Sequence, residues 1–222
     1  MSREEIFANI RRGLKRGEPS ETLRKQVLQR IHARQANLIP ARAQLAQAEQ
    51  IELFRRMASA AAAELIDLHS LSDLPSAVSG WLKHQQIDHL VSATNPELME
   101  LDWSPAEGIK LEHRIAQSGD RASLTLCHAG IAETGTLMLH SQPHSPTTLN
   151  FLPDCHLVLL KHSQVVGVYE EAWTRLRETR GANWPRTVNM ITGPSRSADI
   201  GQVLQMGAHG PCALVILMLN DL

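Results

Sequence analysis

The chain has 222 residues, 43% of them hydrophobic and 20% charged, with a formal net charge of -1. That length suits one large domain or a domain with an extension, and the composition excludes a disordered chain. The balanced charge and an aromatic content of 4% exclude long-range steering to nucleic acid or an anionic membrane and leave little for base stacking, so any anion site must be local.

Met1 to Ser20 carries charges throughout and lacks an apolar signal core, and no apolar run approaches the length of a membrane span. A cytoplasmic protein without a membrane span is expected. Cys127, Cys155 and Cys212 are far apart and odd in number, so no disulfide framework and no CxxC ligand set for zinc or an iron–sulfur cluster is expected.

In chain order, Ser2-Arg3-Glu4-Glu5 has the form of a capping box, and Ile6, Phe7, Ile10 and Leu14 recur at helical spacing up to Gly17-Glu18-Pro19. A second helix is predicted from near Ser20, with Leu23, Val27 and Ile31 on one face. A third, Ala41 to Ala63, follows Pro40 and carries Ile51, Phe54, Ala58 and Ala61 at steps of three and four. The third helix reads as packed on its own domain, whereas the first two, basic and poor in apolar residues, form a possible docking arm. The expected boundaries are a helical extension over 1–63 and an α/β domain over 64–222.

From Glu64 short apolar runs alternate with helical stretches, the pattern of an α/β domain. Strands are predicted at Leu65 to Leu68, His89 to Ala93, Lys110 to Ile115 and Ala122 to Leu126, and helices at Leu74 to His84 and Glu170 to Arg180. His156 to Lys161 reads as a strand covered on both faces, with Gln164 to Val168 extending it as a short hairpin. Thr187 to Ile191 reads as another buried strand and Ala213 to Leu219 as the last, with Cys212 at its opening read as a buried small hydrophobe.

Two stretches carry chemistry. Gly130-Ile131-Ala132-Glu133-Thr134-Gly135-Thr136, between the apolar runs Ala122 to Leu126 and Leu137 to His140, reads as strand, turn, strand. Its glycines permit positive φ or close approach, and they enclose a carboxylate that is either reactive or merely solvated. Thr192-Gly193-Pro194-Ser195-Arg196-Ser197-Ala198-Asp199-Ile200 reads as a loop from a strand into a helix N-terminus. Backbone N–H groups, the helix dipole and Arg196 would favour an anion there, with Ser195 or Ser197 as cap; the alternative is an ordinary βα connection. The helix ends at Gly207-Ala208-His209-Gly210-Pro211, where His209 is a site residue or a C-terminal cap. Among the 11 His, His140 and His144 are four apart, but Pro143 between them excludes a helical zinc pair, and no metal site is expected.

Taken together, GIAETGT at 130–136, LNFLPDCH at 149–156, TGPSRSADI at 192–200 and GAHGP at 207–211 resemble the LUD-domain family in order and spacing over about residues 64–222. The chain departs from the family pattern at Thr147-Thr148, where a basic residue is usual, at Gly201, where Glu is usual, and at Ser145-Pro146, which replace a glycine-rich loop. The resemblance implies a Rossmann-like three-layer α/β/α sandwich of the superfamily that holds the CoA-transferases and ribose-5-phosphate isomerase. It also implies a role beside two iron–sulfur subunits in oxidising L-lactate to pyruvate, with clusters only in those partners and no cofactor in this chain.

Glu133 is the candidate catalytic group, since AETGT resembles the motif whose glutamate forms the acyl intermediate in CoA-transferases. An acyl-transfer enzyme is therefore one alternative to a ligand-binding or assembly subunit, and a non-catalytic scaffold is another. Candidate residues for a small carboxylate or phosphate-bearing ligand are Gly130, Thr134, Gly135 and Thr136 in the first motif. In the later motifs they are Gly193, Pro194, Ser195, Arg196, Ser197 and Asp199, with His209 and Gly210.

Overall fold

The computed structural model describes residues 2–33, 35–36, 38–197, 205–207 and 209–222. The chain divides into two compact units, Met1–Leu38 and Ile39–Leu222. The first holds helices α1 (Arg3–Gly13) and α2 (Glu21–Ala33). The capping box forms as written, Ser2 Oγ accepting from the Glu5 N–H and Glu5 from the Ser2 N–H. Neither helix buries a residue, and Ile6, Phe7, Ile10, Leu14 and Ile31 are exposed.

The second unit begins with helix α3 (Gln47–Ala60), shorter than the predicted Ala41 to Ala63 because Ala41–Ala43 forms a separate 3₁₀ turn. There follow strand β1 (Glu64–Leu68), helix α4 (Leu74–His84), strand β2 (His89–Ser92), helix α5 (Pro96–Met99) and strands β3 (Lys110–His113) and β4 (Ala122–Leu126). Next come β5 (Ala129–Ile131), β6 (Thr136–His140), helix α6 (Thr148–Phe151), β7 (Cys155–Lys161), β8 (Val165–Val166), helix α7 (Tyr169–Arg180) and β9 (Val188–Ile191). Short strands β10 (Arg196–Ser197) and β11 (Gln205–Met206) precede β12 (Ala213–Leu219).

Six strands form the central sheet in the order β1-β12-β7-β4-β2-β3, every neighbouring pair parallel. The apolar runs of β7 and β12 reflect burial on both faces. Leu157, Leu159, Val215, Leu217 and Leu219 join α4 residues Leu74, Val78 and Leu82 in one core. The alternate residues Val158, Leu160, Leu214, Ile216 and Met218 join α3 residues Ile51, Phe54 and Ala58 in another, as the two-residue period of a strand requires. Arg55 ties α3 to β1 through a forked pair with Asp67 (2.5 and 2.7 Å), whose carboxyl is held below its ordinary range mainly by that bond.

A second sheet, β8-β5-β6-β9, corrects three expectations. The hairpin partner of β6 is β5, paired antiparallel; β4 belongs to the central sheet, and the chain passes between sheets at Cys127-His128. The segment after β7 makes no hairpin with it, because Val165 and Val166 pair in parallel with Gly130 and Ile131. Thr187 to Ile191 is half-buried, antiparallel to β6 and packed through Val188 and Met190 with α7 residues Ala172 and Leu176. Continuous apolar runs do not say which of two sheets a strand joins. Cys212 is exposed, because it precedes the first paired residue of β12.

Candidate functional site

The glycine-enclosed hairpin is built into the core. The backbone of its turn is anchored by Ala132 and Glu133 N–H groups donating to Val166 and Gly167 carbonyls (2.8 and 3.0 Å). Gly130 faces Leu160 and Phe54, where a Cβ would lie 2.8 Å from a Leu160 methyl. Gly135, at φ +65°, lies against the α3 backbone, where a Cβ would approach the Ala58 nitrogen to 2.3 Å. Thr134 and Thr136 hydroxyls are 2.7 Å apart and both meet the Tyr169 hydroxyl, and Thr136 reaches Thr192 at 2.6 Å. This hydroxyl cluster joins the first motif to the strand end that opens the second.

Glu133 is 12% exposed and accepts from the Arg42 guanidinium at 2.9 Å, while Arg42 itself is 63% exposed. Four other residues of this motif named as ligand candidates, Gly130, Thr134, Gly135 and Thr136, thus have packing or hydroxyl-bonding partners inside the protein.

Residues 192–195, His209 and Pro211 line a cavity of about 250 Å³ with Asn150, Phe151, His156, Met190, Ile191 and Leu214. It brings together Gly193, Pro194, Ser195 and His209 from the predicted set; Glu133 is not among its lining residues. Gly193 takes φ +68° so that its backbone can approach the Ala61 carbonyl, to which a Cβ would come within 2.1 Å. The loop is closed by Ser195 N–H to Pro211 O (2.8 Å) and Gly207 N–H to Ser195 O (3.0 Å), with Gly210 packed beside Ser195.

Arg196 donates to the Ala61 carbonyl at 3.3 Å and does not line the cavity, so no Lys or Arg does among the described residues. Asp199 and the predicted helix start at Ala198 to Leu204 lie outside the described residues. The flanking pieces Arg196–Ser197 and Gln205–Met206 pair as antiparallel strands, so the residues directly before Gly207, where the helix is expected to end, form a strand.

Two polar residues lining this cavity, His156 and Asn150, are functional candidates outside the predicted site set. Fully buried His156 meets Thr125 Oγ1 through Nε2 at 2.7 Å, and its Nδ1 is buried without a partner, as is Asn150 Oδ1. Burial pushes the His156 imidazole down to about 3, leaving it neutral at pH 7. The cavity therefore offers unpartnered polar atoms on a neutral floor, suited to a ligand hydroxyl or amide more than to a full anion. Both residues stand in LNFLPDCH; the only local signal is a histidine opening an otherwise apolar strand.

The LUD domain family model matches residues 21–219. The chain belongs to the LUD domain family. Among family relatives, lactate utilization protein C of Exiguobacterium sp. is 28% identical over 183 residues, covering 78% of this chain and 79% of that protein. Lactate utilization protein C of Bacillus subtilis is 29% identical over 135 residues, 56% of each chain. The crystal structure of a DUF162 family protein from Deinococcus radiodurans superposes with a TM-score of 0.59 at 18% identity, covering 79% of this chain and 99% of that one, a likeness of fold. The LUD domain here is thus an α/β sandwich with a parallel central sheet, and no helix among the described residues is long and apolar enough to cross a membrane.

Proposed function

We propose that the chain acts in lactate utilization as a ligand-binding or assembly subunit beside two iron–sulfur subunits that oxidise L-lactate to pyruvate. The observation that carries this reading is the family match over residues 21–219, together with relatives named lactate utilization protein C. Two of the three thiols support the division of labour. Cys127 and Cys155 are buried and their pKa values are pushed up to about 12 and about 11, chiefly by desolvation. Thiols kept protonated are poor cluster ligands. The assembly role would use the exposed apolar residues of α1 and α2. Omission of this chain from a mixture with the purified products of its genomic neighbours is the experiment that tests the reading.

An acyl-transfer reading requires Glu133 to meet a thioester. Its carboxylate is mostly covered and held by Arg42, which favours a structural pairing. An ion pair with one largely exposed partner contributes roughly 0–1 kcal/mol. Glu133→Gln is therefore expected to keep lactate-dependent activity of the assembled system within about twofold, a change too small for loss of a nucleophile. A fall of a hundredfold or more, or an acyl adduct on Glu133 after incubation with acyl-CoA, would restore the catalytic role.

A further inference from the structure

The order β1-β12-β7-β4-β2-β3 contains a switch. The chain leaves β2 for β3 on one side, and leaves β4 for β7 on the other. Open parallel sheets place ligands in the crevice beyond the carboxyl ends of two such strands. The cavity lined by Gly193, Ser195 and His209 lies at the opposite edge, beside His156 and Leu214 near the amino ends of β7 and β12.

At the carboxyl edge is a smaller cavity of about 140 Å³. Asn95 enters it from just beyond β2, His128 from just beyond β4, Lys161 from the end of β7, and His140 from the end of β6; Arg180, the last residue of α7, reaches over it. Lys161 is paired with Glu97 at 2.5 Å. His140, 5% exposed, has its ring edge-on to His128 at 5.0 Å, and its Nε2 lies 3.0 Å from an Arg180 nitrogen. Two polar atoms of the lining, His128 Nε2 and Asn95 Oδ1, are buried without partners.

These groups select a ligand chemistry. His128 is pushed down to about 4, mainly by burial, and His140 is lowered for the same first reason, so both rings are neutral at pH 7. A neutral His140 accepts from Arg180, which aims the guanidinium while leaving further N–H donors for a planar, bidentate acceptor. With Lys161 and Glu97 cancelling, the lining carries one net positive charge, which one carboxylate balances and a phosphate dianion would exceed. The volume holds about five water molecules at ~30 Å³ each, the scale of a ligand with few non-hydrogen atoms. Buried polar atoms without partners are costly unless something meets them, and a hydroxyl or keto oxygen next to the carboxylate would meet Asn95 and His128.

We propose that the crevice beyond β2 and β4 is a binding site for a small 2-hydroxy or 2-oxo monocarboxylate, its carboxylate on Arg180 and its 2-oxygen between Asn95 and His128. The 2-oxygen half of this assignment rests on the lactate reading above; the carboxylate half stands on Arg180 and the charge of the lining.

The test is titration of the full chain, labelled with ¹⁵N-histidine, with L-lactate, pyruvate, acetate and inorganic phosphate. His128 and His140 signals are assigned from His128→Gln and His140→Gln spectra. Saturable shifts at both with lactate or pyruvate are expected, with acetate and phosphate at least tenfold weaker, and Arg180→Gln is expected to raise Kd at least tenfold. No saturable shift, shifts at His156 and His209 instead, or unchanged affinity in a folded Arg180→Gln variant would overturn the site. Should Arg180→Gln not fold, the shift map of the native chain decides. Acetate binding as tightly as lactate would overturn the 2-oxygen assignment. Saturable binding in a chain that the assembled system does not need would count against the proposed function and leave this site standing.

Discussion

Gly135→Ala is expected to lower the unfolding free energy by about 2–5 kcal/mol, summing the cost of an alanine at positive φ and of overpacking a closed contact. Gly135 holds φ +65°, and an added Cβ would lie 2.3 Å from the Ala58 nitrogen and 2.5 Å from the Met57 carbonyl carbon. Those are backbone atoms of α3, which cannot turn aside as a side chain can. The helix is held in turn by Arg55 on Asp67 and by Phe54 in the core, so the turn would have to move. Denaturant unfolding of the variant beside the native chain reads the loss directly, as a lower midpoint with an unchanged slope. A loss under 1 kcal/mol would mean that the turn relaxes, and that its glycine serves a ligand instead of the packing.

Acid is expected to destabilise the protein well before its carboxylates protonate. His156 is fully buried and its pKa is lowered to about 3, and His128 is lowered to about 4. A histidine whose folded pKa lies below its unfolded value of about 6.5 binds more protons when unfolded. Its contribution is complete above about pH 6.5 and is lost as the pH falls toward the folded value. For His156 the slope reaches at most about 1.4 kcal/mol per pH unit over that window. The thermal midpoint should therefore fall steadily from pH 7 to pH 4.5, and His156→Gln should flatten the dependence by about one proton while starting from a lower midpoint, because Thr125 loses its ring partner. A midpoint constant from pH 7 to pH 4.5 would contradict the buried, neutral state of these rings.

The central sheet is largely legible in the sequence, since apolar runs bounded by turn residues locate β1, β2, β4, β7 and β12 to within a residue or two. What the pattern does not convey is membership. Ala129 to Ile131 is too short to register beside β4, and Val165-Val166 borrows its partners from β5, so the second sheet follows only from tertiary pairing. The family motifs are legible as words and less so as geometry. Gly130, Gly135 and Gly193 mark close approach, as expected of glycine, but the approaching groups are Leu160 and the backbone of residues 57–61. His156 and Asn150 do not stand out as cavity residues because a lone polar group in an apolar stretch carries no local sign of whether it is satisfied. The crevice at Arg180 is beyond reach for a stronger reason. Its groups come from five separate elements, and their meeting depends on the strand order.

Lactate-dependent reduction of an artificial electron acceptor reads the proposed role of this chain. This chain and the products of its genomic neighbours are purified, mixed, and assayed with each component left out in turn. Omitting this chain is expected to abolish or strongly slow reduction, and adding it back is expected to restore the rate. A rate unchanged in its absence, or genomic neighbours that encode no iron–sulfur protein, would contradict a role for the chain in lactate oxidation.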